Sequence, residues 1–285
     1  LVWLLGTFLF LLLMMEAFFG YLLPWGQLSY WGAQVMTSLL GVIPFVGDSL
    51  VTWLRGDYMV GNATLQRFFS LHVIGVPFLV FFLVFLHIVS LHQVGSNNPQ
   101  GIDINKFCDE KGKPLDGVTF YPYFVWKDCL AALVFMLFFF AIVFFFPDMQ
   151  GFFLEPENFT PANSLITPAH ITPLWYLSPF YAMLRAIPHK ALGVFVLFSS
   201  LFILFFMPWL DKSPVRAMRY KGLASKCALA SWVCCFLILG YLGLVEITNI
   251  KLYMARVCTV IYFAFFLLMP FYTRRELHHQ VPDRI

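Results

Sequence analysis

The sequence predicts an all-α membrane protein with six membrane-spanning helices, and three observations carry that reading. Of 285 residues, 60% are hydrophobic and only 12% are charged. The apolar residues gather into six runs, roughly 1–23, 68–91, 124–147, 190–209, 224–245 and 255–272, and about 20 residues suffice to cross a bilayer. The connections between runs alternate in charge. Lys106, Lys111, Lys113, Lys127, Lys212, Arg216, Arg219, Lys221, Lys226, Arg274, Arg275 and Arg284 fall on one side, and Arg55, Arg67, Arg185, Lys190, Lys251 and Arg256 on the other. The richer side is expected to face inward. Such a chain is not a soluble core, and a segregated net charge of +3 excludes a nucleic-acid partner. The six cysteines form no CxxC or CxxCH pattern, so no covalent haem attachment, zinc ribbon or disulfide framework is indicated.

The first run contains Gly6 and Gly20, 14 residues apart, or about 21 Å along a helix. Glycine lets a flat group or a neighbouring helix approach the backbone closely. Glu16 is the only acid inside this run. The outer connection that follows contains SLLGVIPFVGDSLVTWLRG (Ser38–Gly56), apolar with Gly and Pro breaks, which reads as short interfacial helices. Trp25, Trp31 and Trp53 read as interfacial anchors.

The second run is the informative one. It holds His72 and His87, with His92 at its polar end. Fifteen residues place His72 and His87 about 22 Å apart, on broadly one face of a helix. Two metal macrocycles stacked across a membrane need ligands placed in this way. The plainer alternative is a pair of core histidines bonded to neighbouring helices. With antiparallel neighbours, Gly20 falls level with His72 and Gly6 level with His87. The third run opens on Lys127-Asp128. The outer connection 147–188 carries seven prolines, which limits long helices. Asp211–Gly222 is a basic inner loop, and the last two runs have no ionisable group at their centres.

Four stretches carry a family resemblance: GYLLPWGQLSYWGA (Gly20–Ala33), RFFSLH (Arg67–His72), HIVSLHQVGSNNP (His87–Pro99) and TPAHITPLWYLSPFYAMLRAIP (Thr167–Pro188). Together they resemble cytochrome b of the quinol:cytochrome c oxidoreductase complex. The resemblance implies eight spans, of which six are present here. The chain begins within an apolar run without Met, as a fragment lacking the first two spans would. It also implies a division into residues 1–122, a two-span haem and quinone part, and 123–285, a four-span part with the outer loop.

The resemblance further implies two non-covalent b-type haems, with His72 ligating the outer, low-potential iron and His87 the inner, high-potential one. Gly6 and Gly20 would make room for the rings. Gly32, Tyr21 and the stretch Pro173-Leu174-Trp175-Tyr176 would form the outer pocket for a ubiquinol-type substrate. The family's usual motif there is Pro-Glu-Trp-Tyr, and Leu174 replaces the carboxylate that would accept a proton. Glu16, five residues before Tyr21, is expected to take over part of that role. His92, Ser96, Lys127 and Asp128 would contact the inner quinone: histidine and aspartate can relay protons, and a lysine steadies negative charge. Partners implied are a Rieske-type iron–sulfur protein, a cytochrome c1-type subunit, membrane lipid and a second copy in a homodimeric complex. The implied location is a cell inner membrane, with the mitochondrial inner membrane as the alternative.

Two other readings compete. A haem-free transporter also uses broken helices and intramembrane acids, but it does not explain paired glycines matching paired histidines. The split photosynthetic-type relative is disfavoured by the unbroken connection 92–123 and by the sixth span. The 15-residue histidine spacing nevertheless resembles the split kind.

Overall fold

The computed structural model describes residues 1–151 and 154–284; Phe152, Phe153 and Ile285 lie outside the described residues. Among the described residues the chain is helical, with only two isolated β-bridges, Gly26 with Pro161 and Cys108 with Pro114. Six helices are long and apolar enough to span a membrane. They are α1 (Val2–Leu22), α4 (Asn62–Val94), α5 (within Phe120–Phe145), α7 (Lys190–Leu210), α8 (Leu223–Leu244) and α9 (Asn249–Arg275). Three shorter helices lie in the outer connections: α2 (Gln27–Ser38), α3 (Gly47–Arg55) and α6 (Ser178–Ala186).

Two spans start earlier than hydropathy alone predicts, because polar residues cap an extra turn or two. In α4 the Thr64 hydroxyl accepts from Gly61 N–H at 3.2 Å and donates to Arg55 O at 2.8 Å. In α9 the Thr248 hydroxyl accepts from Lys251 N–H at 3.4 Å. Capping satisfies N–H groups that a helix start otherwise leaves unpaired. The far end of α9 carries Arg274 and Arg275 in its last turn, where positive charge complements the helix dipole.

Helix α4 is irregular where it matters. Residues Leu71–Gly75 form a π turn, with Val76 N–H donating to Leu71 O five residues back. Pro77 follows, and its missing N–H takes one bond out of the regular ladder. A π turn accommodates one residue more than an α turn. The 15-residue His72–His87 interval therefore behaves like the 14-residue interval between Gly6 and Gly20.

Buried side chains form one cluster around Phe19, Leu22, Tyr30, Ala33, Phe68 and Val76, uniting α1, α2 and α4. A larger cluster unites α6, α8 and α9 through Met183, Leu239, Leu242, Tyr262, Phe266 and Met269. A third, Leu39, Phe180, Val194 and Leu197, joins the outer loops to α7. Backbones approach closest at Gly243 of α8, where a β-carbon would lie 2.0 Å from Ser178 O. Helix α5 buries nothing of its apolar window. A helix apolar on every side is stable only when hydrocarbon or other protein surrounds it.

Arg55 is one of the six cations that sequence reading assigns to the outer side, yet only 5% of it is exposed. Its Nε donates to Thr37 Oγ1 at 2.8 Å, Nη1 to Tyr58 O at 2.9 Å and Nη2 to Gln34 O at 3.0 Å. Burial lowers its pKa from the ordinary value. The guanidinium thus ties α2, α3 and the turn before α4 together. Arg55→Met leaves three acceptors without their donor and is expected to destabilise the outer segment by about 2–4 kcal/mol. Hydrogen exchange over residues 34–64 checks this: protection equal to that of the parent would contradict it.

Candidate functional site

Helices α1 and α4 run side by side, and each histidine of α4 sits against one glycine of α1. A β-carbon at Gly20 would lie 2.6 Å from His72 Cε1 and 3.0 Å from its Nε2. One at Gly6 would lie 3.3 Å from His87 Cε1. The levels therefore pair as the spacing predicts, His72 with Gly20 and His87 with Gly6. His72 Nδ1 is 2.9 Å from the Glu16 carbonyl oxygen and 3.0 Å from its Oε1. With the proton on Nδ1, Nε2 keeps a lone pair for a metal. His87 Nδ1 is buried and has no hydrogen-bond partner. The ring lines a cavity of about 950 Å³ together with Gly6, Thr7, Phe10, Asn97 and Arg216. An apolar cavity with an unpartnered imidazole and a cation at its rim fits a flat macrocycle bearing anionic edge groups. The residues lining the His87 cavity therefore fit haem, and at the other level the Nε2 of His72 beside Gly20 is the atom that could hold a second.

A second cavity, about 250 Å³, lies at the outer side, lined by Gly32, Val35, Met36, Pro168–Pro173, Tyr181 and Arg185. Gly32 also borders Tyr21: a β-carbon there would be 3.7 Å from Tyr21 Cε1. Arg185 lies with its Cζ 4.6 Å from the Tyr181 ring centroid, and Nη2 donates to the carbonyls of Leu242 and Val245. Burial lowers the Arg185 pKa and raises that of Tyr176. The Tyr176 hydroxyl donates to Met14 O at 3.4 Å, which ties the proline-rich loop to α1. Trp175 meets Tyr176 edge to face at 5.8 Å and is 77% exposed.

That loop is stitched onto the start of α2. Gln27 N–H donates to Thr160 O, Ala162 N–H to Trp25 O, and Ser29 N–H to Asn158 Oδ1 at 2.8 Å. Gly26 is required at this seam, because a β-carbon would lie 2.4 Å from Asn158 O.

The structure brings some expected residues together and separates others. Gly32 and Pro173 line one cavity, and Tyr21 borders it through Gly32. Glu16 is not among its lining residues, and its carboxylate instead meets His72. Tyr21 donates its hydroxyl hydrogen bond to Glu155, whose Oε2 also lies 3.5 Å from Asn158 Nδ2. Sequence reading missed Glu155 and Asn158. The available signal was the acidic, polar stretch Glu155-Pro156-Glu157-Asn158 inside the proline-rich loop. On the inner side, no hydrogen bond or ion pair joins His92, Ser96, Lys127 and Asp128 to one another among the described residues. Lys127 Nζ lies 5.6 Å over the Phe124 ring.

Comparison with known proteins gives the family. A family model described as "Cytochrome b(N-terminal)/b6/petB" matches residues 1–179, and "Cytochrome b(C-terminal)/b6/petD" matches residues 161–263. A cytochrome b from Allochromatium vinosum is 48% identical over 295 residues, covering 100% of this chain and 70% of that protein. One from Chondrus crispus is 43% identical, covering 94% of this chain and 67% of that protein. A solved structure titled "Hyperthermophilic respiratory Complex III" superposes with a TM-score of 0.88 at 34% identity, over 97% of this chain and 70% of the other. Motif, helix order and the two histidine–glycine levels thus converge: this chain belongs to the cytochrome b family.

Proposed function

We propose that the chain is the electron-transferring subunit of a quinol:cytochrome c oxidoreductase, taking electrons from quinol at the outer cavity and delivering part of them to quinone at the inner side. The observation that carries this reading is the stacking of two imidazoles at two depths, each facing a glycine across α1 and α4. Bound there, two b-type haems would supply one-electron carriers on opposite halves of the membrane. His72 and His87 would each provide one imidazole nitrogen to an iron. Arg216, at the rim of the His87 cavity, would pair with an anionic edge group.

At the outer cavity the chain must accept two protons for each quinol oxidised. Leu174 cannot do so, and Glu16 faces His72. The pair Tyr21–Glu155 supplies the acceptor instead. The phenol oxygen takes the proton of one quinol hydroxyl as its own proton passes to the Glu155 carboxylate, a relay that accepts one of the two protons. Gly32 keeps the wall beside Tyr21 low, and the prolines of the loop fix the other wall. One electron leaves to an iron–sulfur partner of Rieske type and onward to a cytochrome c1-type subunit. His92, Asp128, Lys127 and Ser96 would serve proton delivery and charge neutralisation at the inner quinone. Proton release outside and uptake inside make the cycle translocate protons. The respiratory-complex title of the solved relative supports a multi-subunit assembly, which we read as dimeric and embedded in a cell inner membrane.

A reduced-minus-oxidised spectrum of the membrane-embedded complex tests the reading: two b-type components are expected, and the absence of b-type absorption would favour the haem-free transporter. Glu155→Gln and Tyr21→Phe test the proton route. Each is expected to slow quinol oxidation by about 10²-fold, the usual scale for losing a positioned base, while both b-type components remain. Undiminished turnover in both variants would remove the pair from the mechanism.

A further inference from the structure

Glu16 is the one acid inside α1, and its surroundings do not explain it as a packing residue. No cation touches it among the described residues, and its Oε2 is buried without a hydrogen-bond partner. Among the described residues its Oε1 has one close nitrogen, His72 Nδ1 at 3.0 Å, whose hydrogen bond goes to the Glu16 carbonyl at 2.9 Å. A carboxylate in apolar surroundings is costly unless something draws it there. The inner level has no counterpart: His87 Nδ1 faces no acceptor among the described residues.

From this asymmetry we infer that Glu16 is a positioning residue that makes the outer haem harder to reduce than the inner one. The inference rests on the proposed function, in which His72 holds the outer iron. The Glu16 carbonyl takes the Nδ1 hydrogen bond, and the carboxylate oxygen 3.0 Å from the same nitrogen adds negative charge beside the ring, which makes the imidazole more electron-rich. The Nε2 atom then donates more strongly to iron and favours the oxidised metal. The negative charge acts in the same direction. The outer and inner levels carry the same ligand type, histidine, and the same small residue opposite, glycine. They differ in what meets the ring Nδ1: the carbonyl and carboxylate of Glu16 at one and, among the described residues, no acceptor at the other. The chain thereby biases electrons from the outer to the inner level through one side chain.

The test is an anaerobic redox titration of the b-type absorbance in membranes containing the assembled complex. His72→Leu first identifies the outer component, by removing it. Glu16→Gln keeps the length and an uncharged acceptor. It is expected to favour reduction of that component by about tenfold, equivalent to about 59 mV for a one-electron couple, and to leave the inner midpoint where it was. The ferric electron paramagnetic resonance signal of the outer component should move in the same variant, because it reports how strongly the imidazole donates to the iron. If His72→Leu leaves both components intact, the ligand assignment fails and the inference falls with it. If His72→Leu removes one component and Glu16→Gln leaves its midpoint and signal unchanged, only the inference is overturned. Should the glutamine variant not assemble, Glu16→Ser is read in the same way, with the same two outcomes.

Discussion

Replacing His87 with Leu is expected to delete the inner b-type component and to abolish quinone-coupled turnover, while the outer component remains reducible by quinol. The reason is chemical before it is structural. Leucine fills much of the space of an imidazole but has no lone pair, and the Gly6 gap offers no substitute nitrogen. Among the described residues, none of the other groups lining the His87 cavity is a histidine; Thr7, Asn97 and Arg216 are polar members, and none of them offers an imidazole nitrogen. His72→Leu should do the reverse, removing the outer component and stopping quinol oxidation after the first electron. The check is a potentiometric titration of both variants in membranes. Each should show one component where the parent shows two. Two undisturbed components in either variant would mean that its imidazole is an ordinary core histidine, which is the plainer reading of the spacing.

The second large effect comes from adding a single carbon to α1. At Gly20 a methyl group would lie 2.6 Å from His72 Cε1, 3.0 Å from Nε2 and 3.1 Å from Nδ1, closer than non-bonded atoms tolerate. Gly20→Ala must therefore push the ring away or part α1 from α4, at a cost of about 1–3 kcal/mol. The displaced ring loses its contact with Glu16 as well. At Gly6 the nearest atom is 3.3 Å from the same methyl position, so a shift of a few tenths of an ångström suffices. The expected outcome is graded: Gly20→Ala assembles with a depleted or spectrally altered outer component, and Gly6→Ala retains a near-normal inner one. Optical spectra and the thermal midpoint of the two variants, compared side by side, decide it. Equal damage at both positions would contradict the geometry.

Much of this was legible in the residues. Runs of 20 or so apolar residues leave a chain little choice in a bilayer, since every backbone N–H and C=O must be satisfied within the segment. So the six spans could be read directly, and only their ends were misjudged. Thr64 and Thr248 extend α4 and α9 by capping, a local hydrogen-bond effect that hydropathy does not register. The histidine–glycine pairing was also legible, because depth along a helix follows from counting. What counting left unresolved was the mismatch of 15 residues against 14. The π turn at Leu71–Gly75 absorbs it. Its only advance sign was Gly75 with Pro77 two residues on, a pair that weakens the regular ladder without saying how it will be repaired.

Side-chain direction was not legible. Glu16 and Tyr21 are five residues apart on one helix, which is compatible with a shared pocket. Their carboxylate and hydroxyl instead serve different neighbours, His72 and Glu155. The second neighbour lies 134 residues away in the chain. Likewise Arg55 counts as one more outer cation in the sequence and is a buried clamp in the fold.

By itself, then, the sequence determined the class of molecule, the number of apolar spans, and the two depths at which imidazoles meet glycines. Each follows from one-dimensional quantities: run length and residue count along a helix of known rise. Only the tertiary structure decided which carboxylate faces which ring or phenol, and which loop covers the outer cavity. Those contacts join segments more than fifty residues apart, and short-range hydrogen bonds select among them only once helices α1, α2 and α4 have packed.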